Sequence, residues 1–222
     1  MPETPAPAEA PRVLTIPPAS GKAEYLVVLL HGVGATADSF FPIAQALAPA
    51  LPNAEFLVPD GFQPFDGAPS GRQWFSIRGV TDENRPPRVE QGAAPLNAWI
   101  DQELSRRGLG GDRLIVLGFS QGAIMAHWLA LRRNPAPAAI VSIAGLLAVE
   151  GRPVAPKPSR VLLVHGAADT RMPVSLAHEA ASELKARGVD VKLQVIPGLA
   201  HGIDARALDQ VKQFLVEVTG QP

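Results

Sequence analysis

The sequence contains no cysteine, and aromatic residues make up only 5% of its 222 residues. Without cysteine, the chain has no disulfide bond, no thiolate metal site and no cysteine nucleophile. Neither sign of charge is in excess, because the formal net charge is −1 and no more than two Lys or Arg residues stand side by side. This balance argues against a nucleic-acid partner or an anionic membrane partner.

Long hydrophobic runs are also missing. No apolar run approaches the roughly 20 residues that span a bilayer, so no integral membrane association is expected. The first twelve residues contain four prolines and three alanines, with no basic region followed by an apolar stretch. We predict that residues 1–12 form a disordered tail rather than a secretory signal, and that the protein is cytoplasmic.

The remaining residues, 13–222, are predicted to form a single domain in which strands and helices alternate. The predicted strands are Val13–Ile16, Tyr25–Leu30, Glu55–Val58, Arg113–Leu117, Ala139–Ile143, Arg160–Val164 and Val191–Val195. The predicted helices are Asp38–Ala50, Val89–Arg107, Gln121–Arg133, Pro173–Arg187 and Ile203–Val218. Most of these strands are nearly continuous hydrophobic runs, which is typical of strands buried on both faces. The pattern predicts an α/β fold with a mostly parallel central sheet and helices on both of its faces.

Several residues mark the expected ends of these helices. Asp38 is a predicted helix start, and Gly108 and Gly188 follow Arg-rich helix ends as C-capping glycines do. Pro173 can serve as a first-turn proline. Pro95 lies inside an otherwise well-spaced apolar face, so we expect a kink there or a helix that begins only near Pro95.

One pentapeptide, Gly118-Phe119-Ser120-Gln121-Gly122, follows an apolar run and precedes a helix-prone run. In a Gly-x-Ser-x-Gly nucleophile elbow, the serine lies in a strained turn between a strand and a helix, where its hydroxyl is exposed above the sheet edge. The two glycines are needed because the backbone and the helix approach closely there. The pentapeptide alone is weak evidence, but in this context it indicates a serine hydrolase with Ser120 as the nucleophile.

A serine hydroxyl becomes a good nucleophile only when a histidine removes its proton, and an anion must orient that histidine. In hydrolases built around such an elbow, the serine is followed in the chain by Asp or Glu and then by His, each on a loop after a strand. Asp169 lies 49 positions after Ser120, and His201 lies a further 32 positions on, each after a predicted strand. Ser120, Asp169 and His201 are therefore the predicted catalytic residues.

Other residues compete for the role of the acid. Asp169 could instead cap the helix that follows it, with Thr170 as another candidate for that cap. Asp190 precedes its strand and so lies at the wrong edge of the sheet, and Asp204 follows His201 too closely. Asp169 is the best candidate of the three carboxylates.

The sequence has five histidines. His127 and His178 lie inside predicted helices, where a structural or surface position is more usual than a catalytic one. His165 ends a strand, where a structural hydrogen bond is more usual than catalysis. His31 belongs to a separate motif, and His201 is therefore the predicted base.

That separate motif is His31-Gly32-Val33-Gly34, directly after the predicted strand Tyr25–Leu30. The tetrahedral intermediate of acyl transfer carries an oxyanion that backbone N–H groups stabilise. One donor should be Gln121, the residue after the nucleophile, helped by the positive end of its helix. The predicted second donor is Val33, and the alternative interpretation of the motif is an ordinary glycine-rich turn.

Residues 59–88 do not follow the alternation of strands and helices, because they contain five prolines, four glycines and four aromatic residues. A loop of this length inside a compact domain is usually functional or disordered. The aromatic residues favour an ordered loop. We predict that it forms a wall of the active site.

Together these motifs resemble the phospholipase/carboxylesterase family of α/β-hydrolases, which includes acyl-protein thioesterases and lysophospholipases. The matching pieces span most of the chain: Leu30-His31-Gly32-Val33-Gly34, Pro59-Asp60-Gly61, Trp74-Phe75-Ser76-Ile77, the elbow around Ser120, His165-Gly166-x-x-Asp169 and Gly198-x-x-His201-Gly202. The segment 71–81 is most similar to a bacterial esterase branch of that family.

Two features depart from the family pattern. Members that act on acylated proteins usually carry Asp where this chain has Ser76, and their Gly-His-Gly spacing near the base is tighter than Gly198-Leu199-Ala200-His201. These departures weigh against protein deacylation more than against esterase chemistry.

The resemblance implies an α/β-hydrolase fold without a cap domain, in which loops, here residues 61–88 and 145–157, build the acyl pocket. Each candidate acyl-contact residue could instead be a core residue. These candidates are Phe65, Trp74, Phe75, Ile77, Leu146, Leu147 and Met172.

The predicted function is a serine carboxylesterase that hydrolyses short- to medium-chain acyl esters, with a small-molecule acyl ester as substrate and neither metal nor organic cofactor. An acyl-protein thioesterase or lysophospholipase that uses the same residues is the alternative within this class. A non-catalytic binding module on a hydrolase fold is the alternative outside it. Apolar residues around an uncapped site could also support a homodimer.

Overall fold

The computed structural model describes residues 10–221, so most of the predicted tail, residues 1–9, lies outside the described residues. The strands are β1 (Val13–Ile16), β2 (Tyr25–Leu30), β3 (Ala54–Pro59), β4 (Gln63–Pro64), β5 (Arg72–Gln73), β6 (Leu114–Phe119), β7 (Ala139–Ile143), β8 (Arg160–Gly166) and β9 (Asp190–Ile196). The helices are α1 (Ala37–Leu47), α2 (Arg85–Arg107), α3 (Gln121–Arg132), α4 (Ser175–Ala186) and α5 (Ala205–Thr219). Short 3₁₀ turns follow α1 at Ala48–Ala50 and precede β6 at Gly111–Arg113.

Seven strands form one central sheet in the order β1-β3-β2-β6-β7-β8-β9. β1 pairs antiparallel to β3, and the other neighbours pair parallel, with Val28 opposite Val116 in the register of β2 and β6. The prediction of a mostly parallel sheet is confirmed. Because these strands are parallel, the loops that follow β2, β6, β8 and β9 meet at one edge of the sheet.

Helices cover both faces of this sheet, as predicted. Since successive strand residues point to opposite faces, β2 divides its side chains between two hydrophobic clusters. Leu26, Val28 and Leu30 pack with α2, α3 and α4, whereas Val27 and Leu29 pack with α1 and α5. Between residues 10 and 221 the connections are loops, single helices and one small β-hairpin, so no cap domain is inserted there.

The start of α1 differs from the prediction. The helix begins at Ala37 rather than Asp38, and the N–H of Ala37 donates to the Asp60 carboxylate over 2.7 Å. Asp60 directly follows β3, so a residue distant in sequence satisfies the free N–H group at the helix start. Asp38 pairs instead with Arg12 on the surface.

The helix predicted to begin at Val89 begins earlier, at Arg85, and continues through Pro95. A start delayed to Pro95 is therefore wrong. Two further prolines, Pro86 and Pro87, lie in the first turn, where a missing N–H group removes no intrahelical hydrogen bond.

The start of α4 also differs, because Pro173 lies two residues before its first residue, Ser175, rather than inside its first turn. Both predicted capping glycines adopt the left-handed conformation, with φ of 63° at Gly108 and 86° at Gly188. The hairpin of β4 and β5 was not predicted, since each strand has only two residues and no apolar alternation. Among residues 10–221, none of the helices has the length and hydropathy needed to cross a membrane.

Candidate active site

Ser120 occupies the sharp turn between β6 and α3. Its backbone has φ 53° and ψ −114°, a region that residues other than glycine rarely adopt because of steric strain. A Cβ atom added at Gly118 would lie 2.1 Å from the carbonyl oxygen of Gly122, and one added at Gly122 would lie 2.0 Å from that of Leu30. Only glycine fits at either position. The geometry is that of the nucleophile elbow predicted from the sequence.

The loops after β8 and β9 bring Asp169 and His201 next to this turn. Nε2 of His201 lies 3.1 Å from Oγ of Ser120, and Nδ1 lies 2.7 Å from Oδ2 of Asp169. When Nδ1–H donates to the carboxylate, Nε2 carries a lone pair that can accept the serine proton. The three residues selected from chain order thus form one hydrogen-bonded row.

The Asp169 carboxylate is held on both of its oxygens. Its side chain has no exposed surface, and Oδ1 accepts hydrogen bonds of 2.9 Å from the backbone N–H groups of Arg171 and Met172. Burial by itself raises the pKa of Asp169, but the N–H of Met172 and the His201 side chain outweigh it and lower the pKa. Because α4 begins only at Ser175, Asp169 is not the cap of that helix.

His165 supports the turn that carries Asp169. Its Nε2 donates to the carbonyl oxygen of Met172 over 2.7 Å and lies 3.5 Å from Oδ2 of Asp169. This is the structural hydrogen bond expected for a histidine at a strand end. Two further histidines lie in helices, with His127 buried in α3 and His178 exposed on α4.

The two predicted oxyanion donors lie in the loop after β2 and at the first residue of α3. Within residues 10–221, the N–H groups of Val33 and Gln121 donate to no backbone carbonyl. The Val33 loop is closed by a hydrogen bond of 3.2 Å from Ala35 N–H to the Gly32 carbonyl, and Gly34 adopts φ 79°. Their role as oxyanion donors stays a prediction, since it depends on where a substrate binds.

His31 fixes the start of this loop. Its Nδ1–H donates to the carbonyl of Gly32 over 2.7 Å, and its Nε2 accepts from the N–H of Gly61 over 2.9 Å. Each ring nitrogen is therefore used in the way that only the neutral imidazole permits. Burial lowers the pKa of His31, which favours the same neutral form.

Trp74 and Phe75, two of the predicted acyl-contact residues, belong to the core. They are 1% and 3% exposed, respectively, and pack between β2, α2 and α3. Trp74 Nε1–H donates to the carbonyl of His31 over 2.8 Å. In this structure both side chains serve packing, and the indole N–H of Trp74 is already hydrogen-bonded. Direct acyl contact by these two residues stays a prediction.

Leu146, Leu147 and Met172 are half-buried and line one groove of about 660 Å³. This groove lies between the start of α2, the loop after β7 and α4, and charged residues such as Arg171 and Glu179 also line it. Arg171, which lines the groove, lies two residues after Asp169 in the chain. The other two predicted contacts lie elsewhere: Phe65 packs against Gly34, and Ile77 is 37% exposed on the surface.

Two side-chain contacts around the elbow were not predicted. The ring of Phe119 lies against the imidazole of His201, and the side-chain amide of Gln121 bonds to the backbone of Trp74 and Phe75. Both residues belong to the Gly-x-Ser-x-Gly pentapeptide. The motif therefore drew attention to their positions, but it gave no signal for the direction of their side chains.

Residues 12–219 match the sequence profile of the phospholipase/carboxylesterase family. The chain belongs to this family. It is thus a serine hydrolase of the carboxylesterase and thioesterase type with the α/β-hydrolase fold. The family resemblance of the sequence motifs is confirmed.

Individual proteins are similar to this chain over most of their length. Esterase YpfH of Escherichia coli (strain K12) is 32% identical over 84% of this chain and 79% of its own. Acyl-protein thioesterase 1 of Neurospora crassa is 24% identical over 90% of this chain and 89% of its own. The crystal structure of esterase PE8 is 30% identical and superposes with a TM-score of 0.85 over 95% of this chain and 100% of its own.

Proposed function

We propose that this protein is a carboxylesterase that hydrolyses short- to medium-chain acyl esters through Ser120, His201 and Asp169. The observation that carries the proposal is the row of hydrogen bonds from Ser120 Oγ to His201 Nε2, at 3.1 Å, and from His201 Nδ1 to Asp169, at 2.7 Å. A nucleophile, a base and an orienting anion at these separations are the parts that acyl transfer requires. The strained turn at Ser120 adds support, since such strain is typical of functional sites.

In the proposed reaction, His201 Nε2 takes the hydroxyl proton of Ser120 as Oγ attacks the acyl carbonyl carbon. The new C–O bond converts the carbonyl into a tetrahedral oxyanion, and Asp169 stabilises the imidazolium that forms. His201 then gives the proton to the alcohol oxygen as the bond from carbon to that oxygen breaks. The products of this half-reaction are the free alcohol and an acyl-Ser120 ester.

The same groups then remove the acyl group. His201 takes a proton from water as the water oxygen attacks the acyl-enzyme carbonyl, and it returns that proton to Ser120 Oγ as the ester bond breaks. In both halves the oxyanion would accept hydrogen bonds from the N–H groups of Val33 and Gln121. Each such donor is worth about 3 kcal/mol of barrier in comparable enzymes.

The groove lined by Leu146, Leu147 and Met172 is the proposed site for the apolar part of the substrate. Its volume of about 660 Å³ is within the usual range for small-molecule sites. Its apolar lining residues suit a hydrocarbon chain, while charged residues such as Arg171 and Glu179 also line it, which favours a short or medium chain over a long, fully apolar one. The similarity to two proteins named as esterases supports the choice of an ester substrate.

A thioesterase or lysophospholipase activity is the second candidate, and the 24% identity to a protein named acyl-protein thioesterase favours its consideration. The proposed residues would act on a thioester in the same way, since only the leaving group differs. Ser76 weighs against a protein substrate. Its hydroxyl bonds to Asp66 within the loop, so the Asp that protein-deacylating members usually carry at this position is replaced by an internal contact.

A series of p-nitrophenyl esters with acyl chains from acetate to dodecanoate tests the proposal. The wild-type protein should show its highest kcat/KM at a short or medium chain, and Ser120→Ala should reduce turnover at least about 1,000-fold while thermal unfolding stays unchanged. Retained turnover in a folded Ser120→Ala variant would contradict the assignment of the nucleophile. Parallel assays with acyl thioesters and lysophospholipids separate the two candidate substrate classes.

A further inference from the structure

Residues Arg72–Phe75, here called the strap, are hydrogen-bonded both to the loop that carries Val33 and to the side chain of Gln121 at the start of α3. At one end the strap pairs with the Val33 loop: the N–H of Gly34 donates to the Arg72 carbonyl over 2.8 Å, and the N–H of Arg72 donates to the Ala35 carbonyl over 2.9 Å. The strap is thus hydrogen-bonded to the residues on the C-terminal side of Val33.

At its other end, the strap is held by the side chain of Gln121. The N–H of Trp74 donates to Oε1 of Gln121 over 2.9 Å, and Nε2–H of Gln121 donates to the Phe75 carbonyl over 2.7 Å. The amide therefore holds the backbone of two consecutive strap residues, and Gln121 is 3% exposed. The backbone N–H of the same residue is the other proposed oxyanion donor.

The strap cannot shift freely between these attachments. A Cβ atom at Gly92 of α2 would lie 2.5 Å from the carbonyl oxygen of Trp74, and one at Gly61 would lie 2.6 Å from that of Gln73. The backbone of the strap is therefore in close contact on these sides. Glycine inside a helix is unfavourable, and this contact gives a physical reason for Gly92.

We propose that Gln121 is a positioning residue. Its side-chain amide holds the strap, and the strap fixes the spacing between the backbone N–H groups of Val33 and Gln121. This inference rests on the proposed function, since it requires an oxyanion between those groups. A donor that is misplaced by a fraction of an ångström weakens transition-state stabilisation but hardly affects substrate binding. Loss of the amide should accordingly lower kcat and leave KM nearly unchanged.

The test compares Gln121→Met, which removes both side-chain hydrogen bonds, with Gln121→Glu, which keeps only the acceptor for Trp74. The backbone N–H remains in both variants. For p-nitrophenyl butyrate, kcat should fall about 10- to 100-fold in Gln121→Met, with KM within about threefold of the wild type. The value of kcat should fall at least as far in Gln121→Glu, because the carboxylate oxygen that replaces the NH2 group would face the Phe75 carbonyl. If Gln121→Met does not fold, Gln121→Glu decides by the same criteria, and a kcat within about twofold of the wild type or a rise in KM alone overturns the inference.

A trifluoromethyl ketone supplies a readout that general destabilisation does not change, because it forms a tetrahedral oxyanion adduct with the serine. Its inhibition constant should rise by the same factor as kcat/KM falls. Val211→Ala, a change at a buried position of α5, controls for lost stability and should leave both constants unchanged.

Two outcomes would overturn the inference: a folded Gln121→Met variant with kcat within about twofold of the wild type, or a rise in KM alone. The wild type and Ser120→Ala are assayed in parallel. If the wild type hydrolyses no ester, or if Ser120→Ala remains active, the proposed function fails. If both behave as expected while Gln121→Met keeps its kcat, only the role of the strap fails.

Discussion

The ring of Phe119, the residue before the nucleophile, lies against the imidazole of His201, with the ring centroids 5.0 Å apart and the planes inclined by 43°. An aromatic face attracts a cation, so this contact should favour the imidazolium that forms in the transition state. Such contacts are worth about 1 kcal/mol, or about fivefold in rate. We expect Phe119→Leu to lower kcat by about that factor, which steady-state kinetics with p-nitrophenyl esters can measure.

Phe40→Leu is the matched control for that substitution. Phe40 also packs against Phe119, with ring centroids 6.4 Å apart, but has no aromatic contact with His201. Its replacement should reduce the free energy of unfolding but not kcat. Equal kinetic effects of the two substitutions would show that Phe119 acts on packing alone.

The Asp169→Asn variant should distinguish two roles of the Asp169 carboxylate, which orients His201 and also stabilises its own turn. The amide oxygen of Asn can still accept from the N–H groups of Arg171 and Met172. Its NH2 group would face Nδ1 of His201 and force the proton onto Nε2, the wrong tautomer for accepting the serine proton. By analogy with the same change in a serine protease, kcat should fall about 10,000-fold with little loss of stability.

Circular dichroism and thermal unfolding provide the control for Asp169→Asn. A variant that keeps a tenth of the wild-type kcat would contradict the proposed role of the carboxylate. Asp204→Asn is a useful comparison, because Asp204 caps α5 and its side chain bonds to Ala207 N–H rather than to His201. This substitution should affect stability only.

Chain order and hydrophobic runs were enough to predict the architecture and the residues of the hydrogen-bonded row. Parallel strands place their following loops at one edge, so Ser120, Asp169 and His201 could be brought together without knowing any distance. The start of α1 could not be predicted as well from the sequence, because Asp60, which accepts the hydrogen bond of its first N–H group, lies 23 positions away. Local patterns do not report such distant partners.

Local sequence patterns also could not decide which of the candidate acyl-contact residues are buried. Trp74 and Phe75 stand in a loop rich in glycine and proline, where the sequence left acyl contact and core packing both open, and contacts with α2 and α3 bury them. The direction of a side chain in an irregular segment depends on tertiary packing, which has no periodic signal in the sequence. Leu146 and Met172, by contrast, do line a groove.

The backbone strain at Ser120 should lower the free energy of unfolding of the protein. With φ at 53° and ψ at −114°, the residue is in a region where strain amounts to about 1–3 kcal/mol. Ser120→Gly should relieve part of this strain. The resulting gain in stability is partly offset, because glycine has greater conformational freedom in the unfolded chain. We expect Ser120→Gly to be inactive and about 1 kcal/mol more stable than Ser120→Ala, measured by urea unfolding.

Ala139→Gly is the control for this comparison. Ala139 lies in β7 and has no left-handed backbone, so glycine there should lower stability by about 1 kcal/mol. If glycine in place of alanine raises the free energy of unfolding at position 120 but lowers it at position 139, backbone strain is identified as the cause. A Ser120→Gly variant less stable than Ser120→Ala would contradict the interpretation of the elbow as strained.

The buried imidazole of His127 predicts that stability decreases in mildly acidic solution. Its Nδ1–H donates to the Leu146 carbonyl over 3.0 Å, while Nε2 is buried without a hydrogen-bond partner among the described residues. Burial lowers the pKa of His127 from 6.5 to about 4. Between these two values the unfolded chain binds a proton that the folded protein does not, so protonation favours unfolding.

The stability that depends on the neutral His127 is therefore fully present above about pH 6.5 and is lost progressively down to about pH 4, by up to about 3 kcal/mol. Urea unfolding at several pH values in this window should show that slope, and His127→Gln should reduce it. The buried His31, whose pKa is also lowered, leaves a residual slope in the variant. The lowered pKa of Asp169 acts only at more acidic pH, below its ordinary value of 3.8. Parallel curves for the wild type and His127→Gln would exclude His127 as the source of the acid sensitivity.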